Sequence, residues 1–409
     1  MKFNQWTLGL AALGVVSLAS AAKAEEKMSA IQAAMSSTTI SGYVDTSAQW
    51  NFGTGNQSNP PYRFGGDTKA DGFNLNVVQL TVAKPLDEAE WAAGYRADLW
   101  FGPDANTLST LSTAGTLNTF DGYHSTQASD FAIRQAYVAL RMPVGNGLDW
   151  KIGVFDTIIG YESVESGNNP NFTRSYGHSI EPQTHTGILA TYRINDSVSV
   201  AAGVANTVGP AINQRAFKSP GSDGHKAESY KTYMASLALT APDSWGWAKG
   251  STLYGGVVTG YSEDTRGADE AGTTTSWYAG GTLATPVAGL KVGAAFDYLD
   301  VQSYGHAWAL AGYASYQATE KLSLHLRGEY VEDRTYFFWD LTDIGSFDNS
   351  KVGIFALTAT AQYDLWQNVI SRVEFRWDHS AYGKNFGSNS GDATRQNALM
   401  IAANIIYKF

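Results

Sequence analysis

The clearest hydrophobic pattern of the chain lies in residues 396–409 (QNALMIAANIIYKF). From Leu399 to Phe409 every second residue is apolar, whereas the other register, from Gln396 to Lys408, mixes in small, polar and charged side chains. Successive side chains of a β-strand point to opposite faces, so this alternation predicts a strand with one apolar and one wetter face. A barrel within a bilayer would protect such a strand, because lipid covers its apolar face and closure covers its edge.

The same period of two recurs along the chain and predicts sixteen strands. The predicted segments are 38–50, 73–84, 91–101, 131–141, 150–159, 184–194, 198–206, 230–240, 251–261, 275–285, 290–301, 306–317, 322–334, 352–363, 369–380 and 396–409. Connections are long after odd-numbered segments except the eleventh, and mostly tight after even-numbered ones, as in bacterial barrels with long outer loops and short periplasmic turns. We therefore predict an all-β fold, a transmembrane antiparallel up-and-down β-barrel of about 16 strands.

The N-terminal residues 1–24 have the pattern of a cleaved secretory signal peptide. Lys2 precedes an apolar run at 8–18, and the small residues Ala22 and Ala24 mark a cleavage site after Ala24. That run is too short to span a bilayer, and no later segment has the roughly 18 consecutive apolar residues of a spanning helix. We expect 25–37 to be a short periplasmic leader, either a disordered tail or a short helix near the barrel mouth, and 38–409 to be a single barrel domain.

Composition is consistent with a barrel that has a wet interior. The chain has 42 glycines, 13% aromatic residues and 16% charged residues, and this charged fraction is below the usual quarter. The formal net charge of −10 argues against nucleic acid as a partner. The absence of cysteine excludes a disulfide scaffold and a lipid-anchored cysteine.

Charged side chains recur in the inward register of the predicted wall, most regularly at 372–378 (RVEFRWD). An Arg or Lys that faces lipid near the membrane midplane costs about 2–4 kcal/mol, so these side chains are expected to face the lumen. There they would form a salt-bridged ladder, and their arginines would also line the permeation path. The predicted lumen-wall residues are Arg96, Asp98, His185, His325, Arg327, Glu329, Arg372, Glu374, Arg376 and Asp378.

The connection at 161–183 (YESVESGNNPNFTRSYGHSIEPQ) is the third long outer loop by count. In general porins of sixteen strands the third outer loop folds into the lumen, and the similar position implies a constriction here. An ordinary surface loop is the alternative. The predicted constriction residues carry charges of both signs and are Glu162, Glu165, Arg174, His178 and Glu181.

The run 153–192 resembles the OmpL-like β-barrel porin-2 family, and segments 94–106 and 373–380 are similar to it too. The positions that carry the resemblance are Asp156, Thr157, Gly160, Glu162, Asn169, Pro170, Asn171, Arg174, Ser175, Pro182, His185, Thr186 and Gly187. The terminal Phe409 is also typical of bacterial outer-membrane barrels, in which the barrel-assembly machinery reads it. This resemblance implies a porin-type barrel and leaves its substrates undefined.

No arrangement of residues indicates an enzyme. The seven histidines are scattered without a metal-binding spacing, and there is neither a G-x-S-x-G elbow nor a Gly-rich phosphate loop. We therefore expect no catalytic residue, no cofactor and no metal.

These observations predict an outer-membrane porin for passive diffusion of small hydrophilic solutes and ions. Its expected partners are outer-membrane lipid and lipopolysaccharide, the barrel-assembly machinery and the permeating solutes. The alternative is a non-conducting barrel that serves as an envelope anchor, adhesin or surface enzyme. The permeating solute, the ion selectivity, and the choice between a monomer and a homotrimer stay open.

Overall fold

Sixteen antiparallel strands form one closed barrel, in which each strand pairs with its neighbours in sequence and β1 pairs with β16. The computed structural model describes residues 37–53, 58–110, 129–215, 230–261, 273–302, 305–335, 351–387 and 393–409. The strands are β1 (Thr39–Asn51), β2 (Gly72–Lys84), β3 (Ala93–Phe101), β4 (Phe131–Met142), β5 (Leu148–Asp156), β6 (Thr184–Asn195), β7 (Val198–Ala205), β8 (Thr232–Thr240), β9 (Thr252–Tyr261), β10 (Thr273–Ala284), β11 (Leu290–Val301), β12 (Gly305–Gln317), β13 (Leu322–Asp333), β14 (Val352–Trp366), β15 (Val369–Ser380) and β16 (Asn397–Lys408). The predicted fold class is confirmed.

The alternation of β15 shows how the sequence sets the two faces of the wall. Val373 and Phe375 are 55% and 42% exposed on the outer face, whereas Arg372, Glu374 and Arg376 point inward and are buried. A slip of one residue would turn every charge outward, so the cost of charge in lipid fixes the register.

The first and last strands meet at a seam that closes the barrel. The Gly42 N–H donates to the Phe409 carbonyl at 3.0 Å, and the Phe409 N–H donates to the Gly42 carbonyl at 2.9 Å. Position 42 accepts only glycine, because a Cβ there would stand 2.1 Å from the carbonyl oxygen of Gln79 and 2.7 Å from the Phe409 ring. The last residue is thus part of the closing ladder.

Helices are short in the part of the chain that the structure describes. There, the two α-helices are α1 (Pro103–Leu108) and α2 (Tyr176–Ile180), and 3-10 turns occupy Asp67–Lys69, Ser166–Asn168 and Asp243–Ala248. No helix within the described residues is long and apolar enough to cross a membrane. The predicted signal peptide and all but the last residue of the predicted leader lie outside the described residues.

All strand boundaries lie within three residues of the prediction, and two of the differences have a clear structural reason. β5 ends at Asp156, and Ile158 and Ile159 instead fold inward into an apolar cluster with Phe155 and Leu189. β3 begins at Ala93, because Trp91 has a φ of 57°, which a strand does not accommodate. Apolar residues next to a strand extend the alternation in the sequence even where the backbone has already turned.

Candidate functional site

The connection between β5 and β6, residues 157–183, lies inside the barrel, and we call it the inner loop. Its helix α2 is capped at the N-terminus by Ser175, whose hydroxyl accepts a hydrogen bond from the His178 N–H at 3.0 Å. All five residues of α2 are buried, because the helix packs on the inward faces of β11, β12 and β13. The loop therefore occupies lumen volume.

Two wall carboxylates hold the backbone of the inner loop. Glu374 of β15 accepts hydrogen bonds from the N–H groups of Phe172 at 2.6 Å and Thr173 at 2.9 Å. Glu329 of β13 accepts one from the N–H of Tyr176 at 2.6 Å. Hydrogen bonds to ionised carboxylates are stronger than neutral ones, so these contacts fix the loop position as well as satisfy its backbone.

Three wall arginines hold the carbonyl groups of the same segment. Arg327 donates to the Thr173 carbonyl at 2.7 Å, and Arg376 donates to the Arg174 carbonyl at 2.8 Å. Arg372 donates to three loop carbonyls at 3.1–3.2 Å, those of Ser166, Asn169 and Asn171. These guanidinium groups thus supply hydrogen-bond donors to loop carbonyls, most of which lie outside regular secondary structure.

The charges of loop and wall also pair directly. Arg327 lies 2.8 Å from the Glu162 carboxylate and 2.9 Å from that of Glu329, and Arg376 lies 2.9 Å from Asp378. All of these side chains are at most 2% exposed. The arginines point into the barrel as the alternation predicts, but the inner loop covers them. Their role in permeation stays a prediction.

The opposite side of the inner loop is fastened to β3 and β4 through Glu165. Its Oε1 lies 3.0 Å from Arg134 and 3.4 Å from Arg96, and both arginines also contact Asp98 at 3.1 and 2.8 Å. The side chains of Arg96 and Glu165 are 33% and 18% exposed. The loop therefore spans the lumen between two charged walls, and part of this second cluster still meets water.

The first outer connection, between β1 and β2, also enters the barrel, which the sequence did not predict. The backbone N–H of Arg63 donates to the Ser179 hydroxyl at 2.8 Å, and its guanidinium donates to the Ser179 carbonyl at 2.9 Å. Tyr62 covers the guanidinium of Arg376 at 4.1 Å, and Phe64 packs against Trp100. Residues 62–64 thus lie over the inner loop, on the side of the barrel where the long connections are.

His178 and Glu181, two of the predicted constriction residues, are buried within the inner loop itself. Burial, with Arg174 and Arg63 nearby, lowers the pKa of His178 well below its usual range. Burial, together with the negative charge of the neighbouring Asp297 and a hydrogen bond that the protonated Glu181 donates to it, raises the pKa of Glu181 well above its usual range. The His178 Nδ1 and Glu181 Oε2 atoms are 3.6 Å apart, but a neutral imidazole beside a neutral carboxyl makes no ion pair.

We expect the raised pKa of Glu181 to make the inner loop less firmly held at high pH. A carboxyl whose pKa is raised in the folded state contributes its full stabilisation below its unfolded value of about 4.3. That contribution is lost as the pH rises through the folded-state value. The unfolding temperature, followed by heat-dependent gel migration, should therefore fall from pH 4 to pH 9. Glu181→Gln should flatten this fall, and an unchanged pH profile in that variant would contradict the assignment.

The two predicted histidines of the wall make local contacts. The Nε2 of His185, which is buried on β6, lies 3.2 Å from the Thr157 hydroxyl, and the Nδ1 of His325 lies 2.9 Å from the Ser315 hydroxyl. Neither reaches the inner-loop carboxylates through a hydrogen bond among the described residues. Both have the hydrogen-bonded wall position that the sequence indicates.

Two residues important to the site were not predicted. Arg134 follows a register shift between β3 and β4, where Asp98 pairs with Gln135 and Leu99 with Ile133, so that Arg134 is the extra residue of a bulge. Asn404 accepts from Arg372 at 2.6 Å and donates to Asp45 at 2.6 Å. The inward register of β16 places Asn404 correctly, but alternation cannot reveal the bulge, because it assumes a continuous ladder.

A model of the protein family described as "Putative beta-barrel porin-2, OmpL-like" matches residues 37–409. This match confirms the resemblance seen in 153–192 and extends it over the whole barrel. No curated protein matches the chain in sequence.

Several solved porin structures are similar in fold. An anion-selective porin from Comamonas acidovorans has 11% sequence identity and a TM-score of 0.57, over 91% of this chain and 99% of that one. OmpF of Salmonella typhi, in complex with daunomycin, has 14% identity and a TM-score of 0.56, over 91% and 97%. OprB of Pseudomonas putida has 12% identity and a TM-score of 0.54, over 93% and 96%. At these identities the likeness concerns the fold alone.

Proposed function

The chain belongs to the "Putative beta-barrel porin-2, OmpL-like" family, and on that premise we propose that it forms a water-filled channel for passive diffusion of small hydrophilic solutes and ions. The observation that carries this proposal is the inner loop, which is held across the interior of a closed barrel by charges on two walls. Such a loop narrows the pore, and passive diffusion through a narrowed pore needs no covalent step, so the function that we propose is a channel without an enzymatic step.

The proposed constriction is the segment 161–183 of the inner loop, and its charged residues divide into two groups. Glu162, Arg174, His178 and Glu181 are buried and position the loop. Glu165 and Arg96 are partly exposed, and we infer that they are the charges that a solute meets. Their opposite signs would impose a local field on a narrow, partly desolvated passage, where charges interact more strongly than at an open surface.

Planar bilayer recording of the purified full chain tests this function. We expect discrete ohmic current steps, because a permanently hydrated passage conducts ions without gating energy. The dense burial of the wall arginines under the inner loop favours a second candidate, a non-conducting barrel that acts as an envelope anchor, adhesin or surface enzyme. Insertion into the bilayer without stable steps would support that candidate and contradict the channel.

Neutralising Glu165 should shift ion selectivity toward anions. Glu165→Gln removes one partly exposed negative charge and leaves Arg96 and Arg134 without that counter-charge. The reversal potential in a salt gradient reports the change, which should be largest at low ionic strength, where screening is weak. Asp149→Asn, whose pair with Arg141 joins β4 to β5 away from the inner loop, is the control. Equal effects of the two variants would mean that Glu165 does not line the passage.

The proposal also covers the location of the protein in the cell and its oligomeric state. The family supports an outer-membrane location, and we propose export through residues 1–24 and recognition of Phe409 by the assembly machinery. OmpT of Vibrio cholerae, which has 13% identity and a TM-score of 0.51 to this chain, is described in a trimer form. We propose a homotrimer here also, which chemical cross-linking in native membranes would test.

A further inference from the structure

A cavity of about 360 Å³ lies between the inner loop and the wall strands β9–β12. Its lining comes from the strand ends beside the short turns and includes Tyr161, Tyr254, Tyr278, Lys291, Tyr313 and Ser315. The volume falls within the roughly 300–1,000 Å³ typical of small-molecule sites. We call it the tyrosine cavity.

The tyrosine rings lie flat against the wall because glycines make room for them. A Cβ on Gly280 would stand 2.2 Å from the Tyr278 hydroxyl, and one on Gly293 would stand 2.1 Å from the Tyr161 hydroxyl. Tyr161 also stacks on Tyr313, with ring centroids 4.1 Å apart and planes 19° apart. The cavity therefore presents ring faces, which suit the C–H face of a cyclic solute.

Some polar groups of the cavity are free to bind. Within the part of the chain that the structure describes, the hydroxyl groups of Tyr254 and Tyr278 make no hydrogen bond. Lys291 is exposed and has no ion pair there either. By contrast, the Tyr161 hydroxyl lies 3.2 Å from that of Thr282, and the Ser315 hydroxyl lies 2.9 Å from His325. The unused groups are thus two hydroxyls and one ammonium.

We propose that the tyrosine cavity binds the ring of an acidic monosaccharide, a hexuronate, on its passage through the lumen. The ring faces of Tyr161 and Tyr254 would pack on the sugar C–H groups, the free hydroxyls would bond its hydroxyls, and Lys291 would pair with its carboxylate. The site rests on the proposed channel function, since the solute reaches it through the lumen.

Calorimetric titration of the detergent-solubilised full chain with glucuronate, glucose and benzoate tests the site. At low ionic strength we expect glucuronate to bind several times more tightly than glucose, because only glucuronate pairs with Lys291. Benzoate should bind more weakly than glucuronate, because it has no hydroxyl groups for Tyr254 and Tyr278. Equal binding of glucuronate and glucose, equal or tighter binding of benzoate, or no heat from any probe would overturn the proposal.

Variants assign the binding to named side chains. Tyr254→Leu should weaken glucuronate binding by roughly tenfold, the upper end for loss of an aromatic contact, whereas Tyr254→Phe, which keeps the ring and loses one hydrogen bond, should weaken it less. Lys291→Gln should reduce glucuronate affinity to that of glucose. Tyr137→Leu, which removes an inward tyrosine of β4 outside the cavity, is the control, and heat-dependent migration verifies that each variant folds. Equal affinity of Tyr254→Leu and the parent chain would contradict the assignment.

Calorimetry does not depend on conduction, so the two proposals fail separately. Binding of glucuronate without current steps in bilayers would support the cavity and contradict the channel. Current steps without binding would support the channel and overturn the site.

Discussion

Replacing residues 167–177 of the inner loop by a short Gly/Ser linker should raise single-channel conductance severalfold. The replaced segment includes the backbone of Phe172, Thr173 and Tyr176, through which Glu374 and Glu329 hold the loop in the lumen. Without it, the cross-section at the level of β13–β15 widens. In the variant, the wall arginines and carboxylates that the inner loop covers in the parent chain become hydrated, and water replaces the loop groups that paired with them.

The matched control shortens a connection outside the lumen. Residues 243–249 form an exposed turn between β8 and β9, and their replacement by a Gly/Ser linker should leave conductance unchanged. If the inner-loop variant also conducts like the parent chain, the inner loop does not set the conductance and the constriction lies elsewhere.

Arg327→Met should lower the free energy of unfolding by about 3–5 kcal/mol, the cost of removing one partner from a buried ion pair. The substitution leaves Glu162 and Glu329 without their shared cation and the Thr173 carbonyl without its donor. The denaturant midpoint of the detergent-solubilised barrel, at constant slope, measures the change. Current noise should also rise, since the inner loop loses its central attachment.

Arg193→Met is the matched control for this prediction. Its pair with Asp196 lies in an exposed turn, where the side chains are 63% and 95% exposed. Exposed pairs contribute about 0–1 kcal/mol, so the control should unfold close to the parent chain. A similar midpoint for both variants would mean that the buried network contributes little to the barrel.

The fold could be predicted from sequence because lipid penalises errors of register. Arg372 to Asp378 can alternate with Val373, Phe375 and Trp377 in only one orientation of the strand, and the same logic holds along β13 and β16. The prediction failed where the chain leaves this constraint, as at Ile158 and Ile159, whose apolar side chains find cover inside the barrel.

Only part of the candidate site could be predicted from the sequence, because its contacts do not recur with a regular period. The position of the inner loop follows from counting strands, and its charges from composition. The bonds of Arg63 to Ser179 join two loops 116 residues apart, and no local pattern encodes that distance. The cover formed by Tyr62 and Phe64 is therefore a property of the folded barrel, which brings these loops to one mouth.

The seam between β1 and β16 fixes the order of assembly. Asp45 and Asn404, which bond across it at 2.6 Å, are 359 positions apart. Neighbouring hairpins form through local contacts, but this last pairing brings together distant segments and is the slowest kind of step. Until it forms, β1 and β16 each expose an unpaired edge beside an apolar face, which makes the nearly finished sheet prone to aggregate. A cell that makes this protein must therefore keep the whole chain from associating until β16 has been synthesised and meets β1.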